Sequence, residues 1–155
     1  MNQDSLLVNI RQEFSALFEE FHFAEVTSCI RNYTFLYCAV SPSLQMRIIS
    51  EQGISVSFSQ LGVQALPWEE NYVPDAWIDW ILLEAFLQGT QCDWHLAPRA
   101  TLDSLKMIAV ALRRNFPVIE RMFRNFNSWI GEFRIYQSHE VERLKQQIAS
   151  GQFPV

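Results

Sequence analysis

Cys92, Asp93 and His95 place a thiol, a carboxylate and an imidazole within four consecutive positions, the densest set of reactive side chains in the chain. A thiol beside an imidazole suggests nucleophilic or metal chemistry. A Cys–His nucleophile, however, draws its partners from separate segments, and neighbours on one loop rarely reach in-line geometry. A zinc site would need a second ligand pair, and neither a C-x-x-C nor an H-x-x-x-H spacing exists. His139-Glu140 opens like a zincin motif but lacks the second histidine four residues on. His22 ends the first helical stretch, where an imidazole suits the negative end of the helix dipole. Glycines 53, 62, 89, 131 and 151 are all isolated, so no P-loop, dinucleotide fingerprint or nucleophile elbow can be built from them. No cofactor, metal or catalytic residue is expected. A small thiol-dependent enzyme using Cys92 and His95 is the alternative reading.

The stretch Trp68-Glu69-Glu70-Asn71-Tyr72 is of another kind. Two aromatic rings flank two acids on a loop bounded by Pro67 and Pro74, and Trp and Tyr are enriched where proteins bind one another. The plainer reading is that Trp68 and Tyr72 cover the end of the core. Set beside it, the interface reading assigns partner binding to Trp68, Glu69, Glu70 and Tyr72.

Charge is unevenly placed. Residues 1–98 carry three basic and twelve acidic side chains, and residues 99–155 carry nine basic and five acidic ones, giving −9 and +4 within a net −5. An acidic chain is a poor nucleic-acid binder, because affinity for phosphates needs concentrated basic surface. Arg113, Arg114, Arg121 and Arg124 form the one basic concentration, and solvated helix faces account for them.

The elements that must position these residues follow from periodicity. Apolar positions from Leu6 to Phe21 recur at three- and four-residue steps after Asp4 and Ser5, the mark of an amphipathic helix. From Phe23 the period changes to two. Phe23–Arg31, Tyr33–Val40, Leu44–Ile48 and Ile54–Ser59 read as four strands, with Asn32 and Gly53 in turns. Ser55, Ser57 and Ser59 share one side of the last strand, which is expected to be wet. Leu61–Pro74 reads as a crossing loop, and a helix is expected from Asp75 to Leu87, stopped by Gly89. After a second loop, Thr90–Arg99, Thr101 caps a helix that Pro117 should end or kink. Asn127 and Ser128 precede a last long helix closed by Gly151. The sum is one α+β domain over 1–155: an N-terminal helix, a four-stranded antiparallel meander, and three to four C-terminal helices packed on the sheet.

At 155 residues such a domain can bury roughly 70% of its unfolded surface without disulfide or metal. Three scattered cysteines, Cys29, Cys38 and Cys92, read as reduced thiols. Neither a basic-then-apolar leader nor an uninterrupted apolar span occurs, since Asp79 and Glu84 break the Ala76–Leu87 run, so a cytoplasmic location without membrane contact is expected.

The hairpin Leu44-Gln45-Met46-Arg47-Ile48-Ile49-Ser50-Glu51-Gln52-Gly53-Ile54-Ser55-Val56, then Trp68 and Trp77, then Leu105…Asn115-Phe116-Pro117-Val118-Ile119…Phe123, resembles a family of small, largely uncharacterised bacterial proteins similar to immunity proteins of polymorphic toxin systems. Glu51 stands where that pattern has aspartate. The resemblance implies a stoichiometric, non-enzymatic binder whose acidic, aromatic surface covers a basic partner such as a toxin domain, with no catalytic residues to carry over.

Overall fold

Alternation along residues 34–59 sorts the side chains into two faces, and both are covered. The computed structural model describes residues 2–51, 53–93 and 101–152. The chain runs α1 (Gln3–Glu13), α2 (Ser15–Glu20), β1 (Ala24–Arg31), β2 (Thr34–Val40), β3 (Gln45–Ser50) and β4 (Ile54–Ser59). A 3-10 turn (Pro74–Ala76), β5 (Ile78–Asp79), α3 (Trp80–Gln88), α4 (Leu102–Arg124), a second 3-10 turn (Phe126–Ser128) and α5 (Ile130–Ala149) complete it. The sheet is antiparallel throughout, in the order β1-β2-β3-β4-β5.

The inner face presents Phe35, Tyr37, Met46, Ile48, Val56 and Phe58, all buried against Leu6, Ile10 and Phe14 of the N-terminal region and Leu112, Phe116 and Phe123 of α4. Each such side chain contributes about 1.5–3 kcal/mol through burial. Aromatic rings knit the helices to one another: Phe21 lies 4.4 Å from Phe116, and Phe86 meets Phe133 edge-on at 5.4 Å.

The α+β order of helix, meander and helices is as expected, with five strands rather than four. The difference arises at Asp79, whose carboxylate accepts from Ile81 N–H at 2.9 Å. That cap starts α3 at Trp80, not at Asp75, and frees Ile78–Asp79 to pair with Phe58 and Ser57. The N-terminal helix is divided at Phe14, and its cap is Asn2, which accepts from Ser5 N–H at 2.8 Å. α4 passes through Pro117 as one helix, with the proline ring on its exposed side. Among the described residues no helix is long and apolar enough to cross a membrane.

The outer face carries one polar row across all five strands. Thr27 pairs with Cys38, Cys38 with Arg47, Arg47 with Ser57, and Ser57 with Asp79. Ser57 and Ser59, expected to be wet, are buried. The segment between β4 and β5 folds back over them.

Candidate functional site

Residues 60–77 form a strap across the outer sheet face, and the side chains beneath it fix its course. Gln45 on β3 donates its amide to the carbonyls of Gln60 and Val63, at 2.8 and 2.9 Å. Two residues on, buried Arg47 donates from Nη1 to Ala65 O and to the Tyr72 hydroxyl, each at 2.8 Å. Its guanidinium lies 4.3 Å from the centroid of the Trp77 ring and 5.6 Å from that of Tyr72. Trp77 in turn donates its indole N–H to Gln64 O at 2.8 Å. A buried cation is costly unless compensated. Two acceptors, two ring faces and the field of the nearby Asp79 carboxylate offset part of that cost, while Arg47 Nε is buried with no hydrogen-bond partner among the described residues. Asp79 is raised from the ordinary carboxylate range, because burial outweighs its bond from Ile81 N–H and the attraction of Arg47.

The crest of the strap bears the predicted contact residues. Trp68 is 38% exposed, and the Arg31 guanidinium at the end of β1 lies 5.0 Å from its ring centroid. Glu69 and Glu70 are exposed, and no ion pair among the described residues engages them. Tyr72 is half-buried, with its hydroxyl held by Arg47. The four residues assigned from sequence thus share one loop in two postures: Trp68, Glu69 and Glu70 face outward, and Tyr72 is part of the clamp beneath. Asn71 between them adopts φ +67°, a turn conformation asparagine tolerates.

Comparison with protein families, with curated proteins and with solved structures finds no match for this chain.

Tyr33, next to Thr34 in the hairpin turn that Arg31 closes, is a further exposed ring and was not among the predicted residues. With Asn32 it forms the two-residue turn between Arg31 and Thr34, and both central residues have positive φ, 51° and 67°. That is the turn a right-twisted hairpin favours, but position two usually holds glycine. A bulky ring there is strained backbone, and Tyr33 is 92% exposed. The sequence signal was Asn32 itself, which sets a two-residue loop once Arg31 and Thr34 are recognised as the closing pair.

The acidic part of the chain leaves few cations free for a partner's acids. Of the three basic side chains in residues 1–98, Arg11 is held by Glu25 at 2.8 Å, Arg31 stacks on Trp68, and Arg47 is buried. Each of these cations is already engaged inside the chain.

The other candidates are placed differently. Cys92 is buried: its N–H donates to Glu140 Oε1 at 3.2 Å, its carbonyl accepts from Arg143 Nη2 at 2.5 Å, and Arg143 Nε donates to Glu140 Oε2 at 2.7 Å. These bonds tie the chain beyond α3 to α5. Burial, then the Glu140 carboxylate, pushes the Cys92 thiol up to about 11, the direction opposite to that of an activated nucleophile. His95, its proposed partner, and the rest of the second loop from Trp94 lie outside the described residues. Arg113 pairs with Glu20 at 2.6 Å and Arg124 with Glu120 at 3.3 Å, which dilutes the basic concentration on α4, while Arg114 and Arg121 are exposed. Among the described residues no three His, Cys, Asp or Glu side chains are grouped to hold a metal ion. A cleft of about 450 Å³ between β4, α3 and α4, lined by Val56, Trp80, Ala85 and Met107, is mainly apolar.

Proposed function

We propose that this protein is a non-enzymatic interaction module that binds a partner protein of basic character, in the manner of an immunity-like inhibitor covering a toxin domain. The contact surface is the crest of the strap: Trp68 as anchor, Glu69 and Glu70 as the charges that steer and select, and Tyr72 holding the loop in place.

The observation that carries the reading is the presentation of Trp68. A large ring stands partly exposed on a loop that Arg47, Tyr72 and Trp77 have already ordered. Binding normally costs about 0.5–1.5 kcal/mol for each rotamer-rich side chain immobilised. Here Arg31 has restricted the ring before any partner arrives. The adjoining carboxylates are exposed and form no ion pair among the described residues, so a basic surface gains both attraction and a faster encounter.

Capture from host lysate with the purified protein, repeated with Trp68→Ala and Glu70→Ala, tests the reading. A stoichiometric partner retained by the parent and lost by the variants supports it. A partner held equally by all three overturns the assignment of the surface.

A further inference from the structure

β1 is the end strand of the sheet, and its burial pattern is that of an open edge: both ends are exposed and the centre half-exposed. Val26 and Ile30 are 63% and 52% exposed along it. Proteins normally guard such an edge with lysine, proline or a free inward charge, because its unpaired N–H and C=O groups invite another strand. β1 has neither lysine nor proline; of its two charged side chains, Glu25 is paired with Arg11, and Arg31, at the last position of the strand, lies over the Trp68 ring. A bulge between Glu25 and Thr27 interrupts one end, leaving Thr27–Arg31 in regular register with β2.

The hairpin fixes which backbone groups face out. In a two-residue hairpin the closing pair, here Arg31 and Thr34, exchanges both hydrogen bonds, and alternate residues then turn outward. Ser28 and Ile30 therefore point their N–H and C=O groups away from β2. The side chains of Cys29 and Arg31 lie on the outer face beside the strap. Glu69 is close enough to add to the burial that raises the Cys29 thiol.

Deepening the reading above and resting on it, we propose that the partner adds a strand to β1: an extended polypeptide segment whose alternate residues are Lys or Arg, seated beside Glu69 and Glu70. Main-chain bonds to Ser28 and Ile30 supply the docking, and the alternation of an added strand brings every second side chain to the acidic crest. A second copy of this chain fits less well, because each protomer is acidic at −5 and would carry its own Glu69 and Glu70 to the shared sheet.

The test uses a synthetic peptide of alternating lysine and valine, its glutamate–valine counterpart, and amide exchange on the full chain. Strand addition predicts binding of the lysine peptide only, with slowed exchange at Ser28 and Ile30 N–H. Ile30→Pro removes one outward N–H without breaking a ladder bond, and should weaken the peptide about tenfold, the worth of one main-chain bond. Because exchange is read on the unsubstituted protein, a folding defect in the proline variant does not blunt the test. No binding, protection confined to other residues, or equal binding of both peptides overturns the proposal. So does a concentration-dependent dimer abolished by Ile30→Pro, which assigns the edge to a second copy. A captured partner lost with Trp68→Ala but kept by Ile30→Pro overturns strand addition and leaves the interaction module standing.

Discussion

The Arg31 guanidinium lies 5.0 Å from the centroid of the Trp68 ring, so the end of β1 and the crest of the strap are joined into one surface. The two are positioned by different parts of the chain. Arg31 closes a hairpin, Trp68 rides on a loop that returns across the sheet, and Arg47 beneath sets the height of that loop.

Arg47 should matter to binding without touching the partner. Arg47→Ala removes a charged donor from Ala65 O and Tyr72 and is expected to cost about 1.5–3 kcal/mol of stability. Amide exchange across residues 61–77 should accelerate more than across β2–β4, and partner affinity should fall with it. Exchange that rises uniformly over the sheet would mean that Arg47 supports the core and not the strap.

Arg31→Ala should weaken partner binding, but less than loss of the ring. The stacked pair is worth about 0.5–1 kcal/mol at an exposed site. Titration calorimetry should therefore place this variant between the parent protein and Trp68→Ala. Affinity unchanged by Arg31→Ala would show that the ring needs no support from β1.

Burial sets the thiol chemistry. Cys92 is pushed up to about 11 and Cys38 to about 12, both first by burial. A thiol at about 11 in place of 9.0 holds about a hundredfold less thiolate near neutral pH. Iodoacetamide should label Cys92 in the folded protein much more slowly than after unfolding. Rapid native labelling of Cys92 would revive the thiol-enzyme alternative.

Acid should act through the Arg11–Glu25 pair. The hydrogen bond from Arg11 holds the Glu25 carboxyl below its usual 4.5. A carboxyl whose folded value is lower than its unfolded one stabilises the fold above the unfolded value, and that contribution disappears as pH falls through the folded value. Urea midpoints should show Glu25→Gln less stable than the parent near neutrality, with the gap closing below about pH 4.5. A gap that is constant with pH would show the pair to be electrostatically idle.

Periodicity made the class and order of elements legible. The change from a three- or four-residue step before Phe21 to a two-residue step after Phe23 marked helix from strand, and Gly89 stopped α3 where expected, with φ +67°. What escaped were effects of tertiary pairing. Ile78–Asp79 is too short to show a period, and its strand state depends on Ser57 and Phe58, far upstream in the chain. Ser57 and Ser59 read as wet because alternation reports polarity and not coverage, and the strap that buries them shows no period of its own. The same limit hid Arg47: one arginine in a strand reads as solvent-facing until two rings and a carbonyl are found around it.

The most direct test of the interaction reading is titration calorimetry of the captured partner, once purified, against the parent protein and Trp68→Ala, with circular dichroism confirming that both are folded. An anchor of this kind should lose about 2 kcal/mol, roughly a thirtyfold weaker dissociation constant. A folded Trp68→Ala protein that binds with parental affinity would contradict the account.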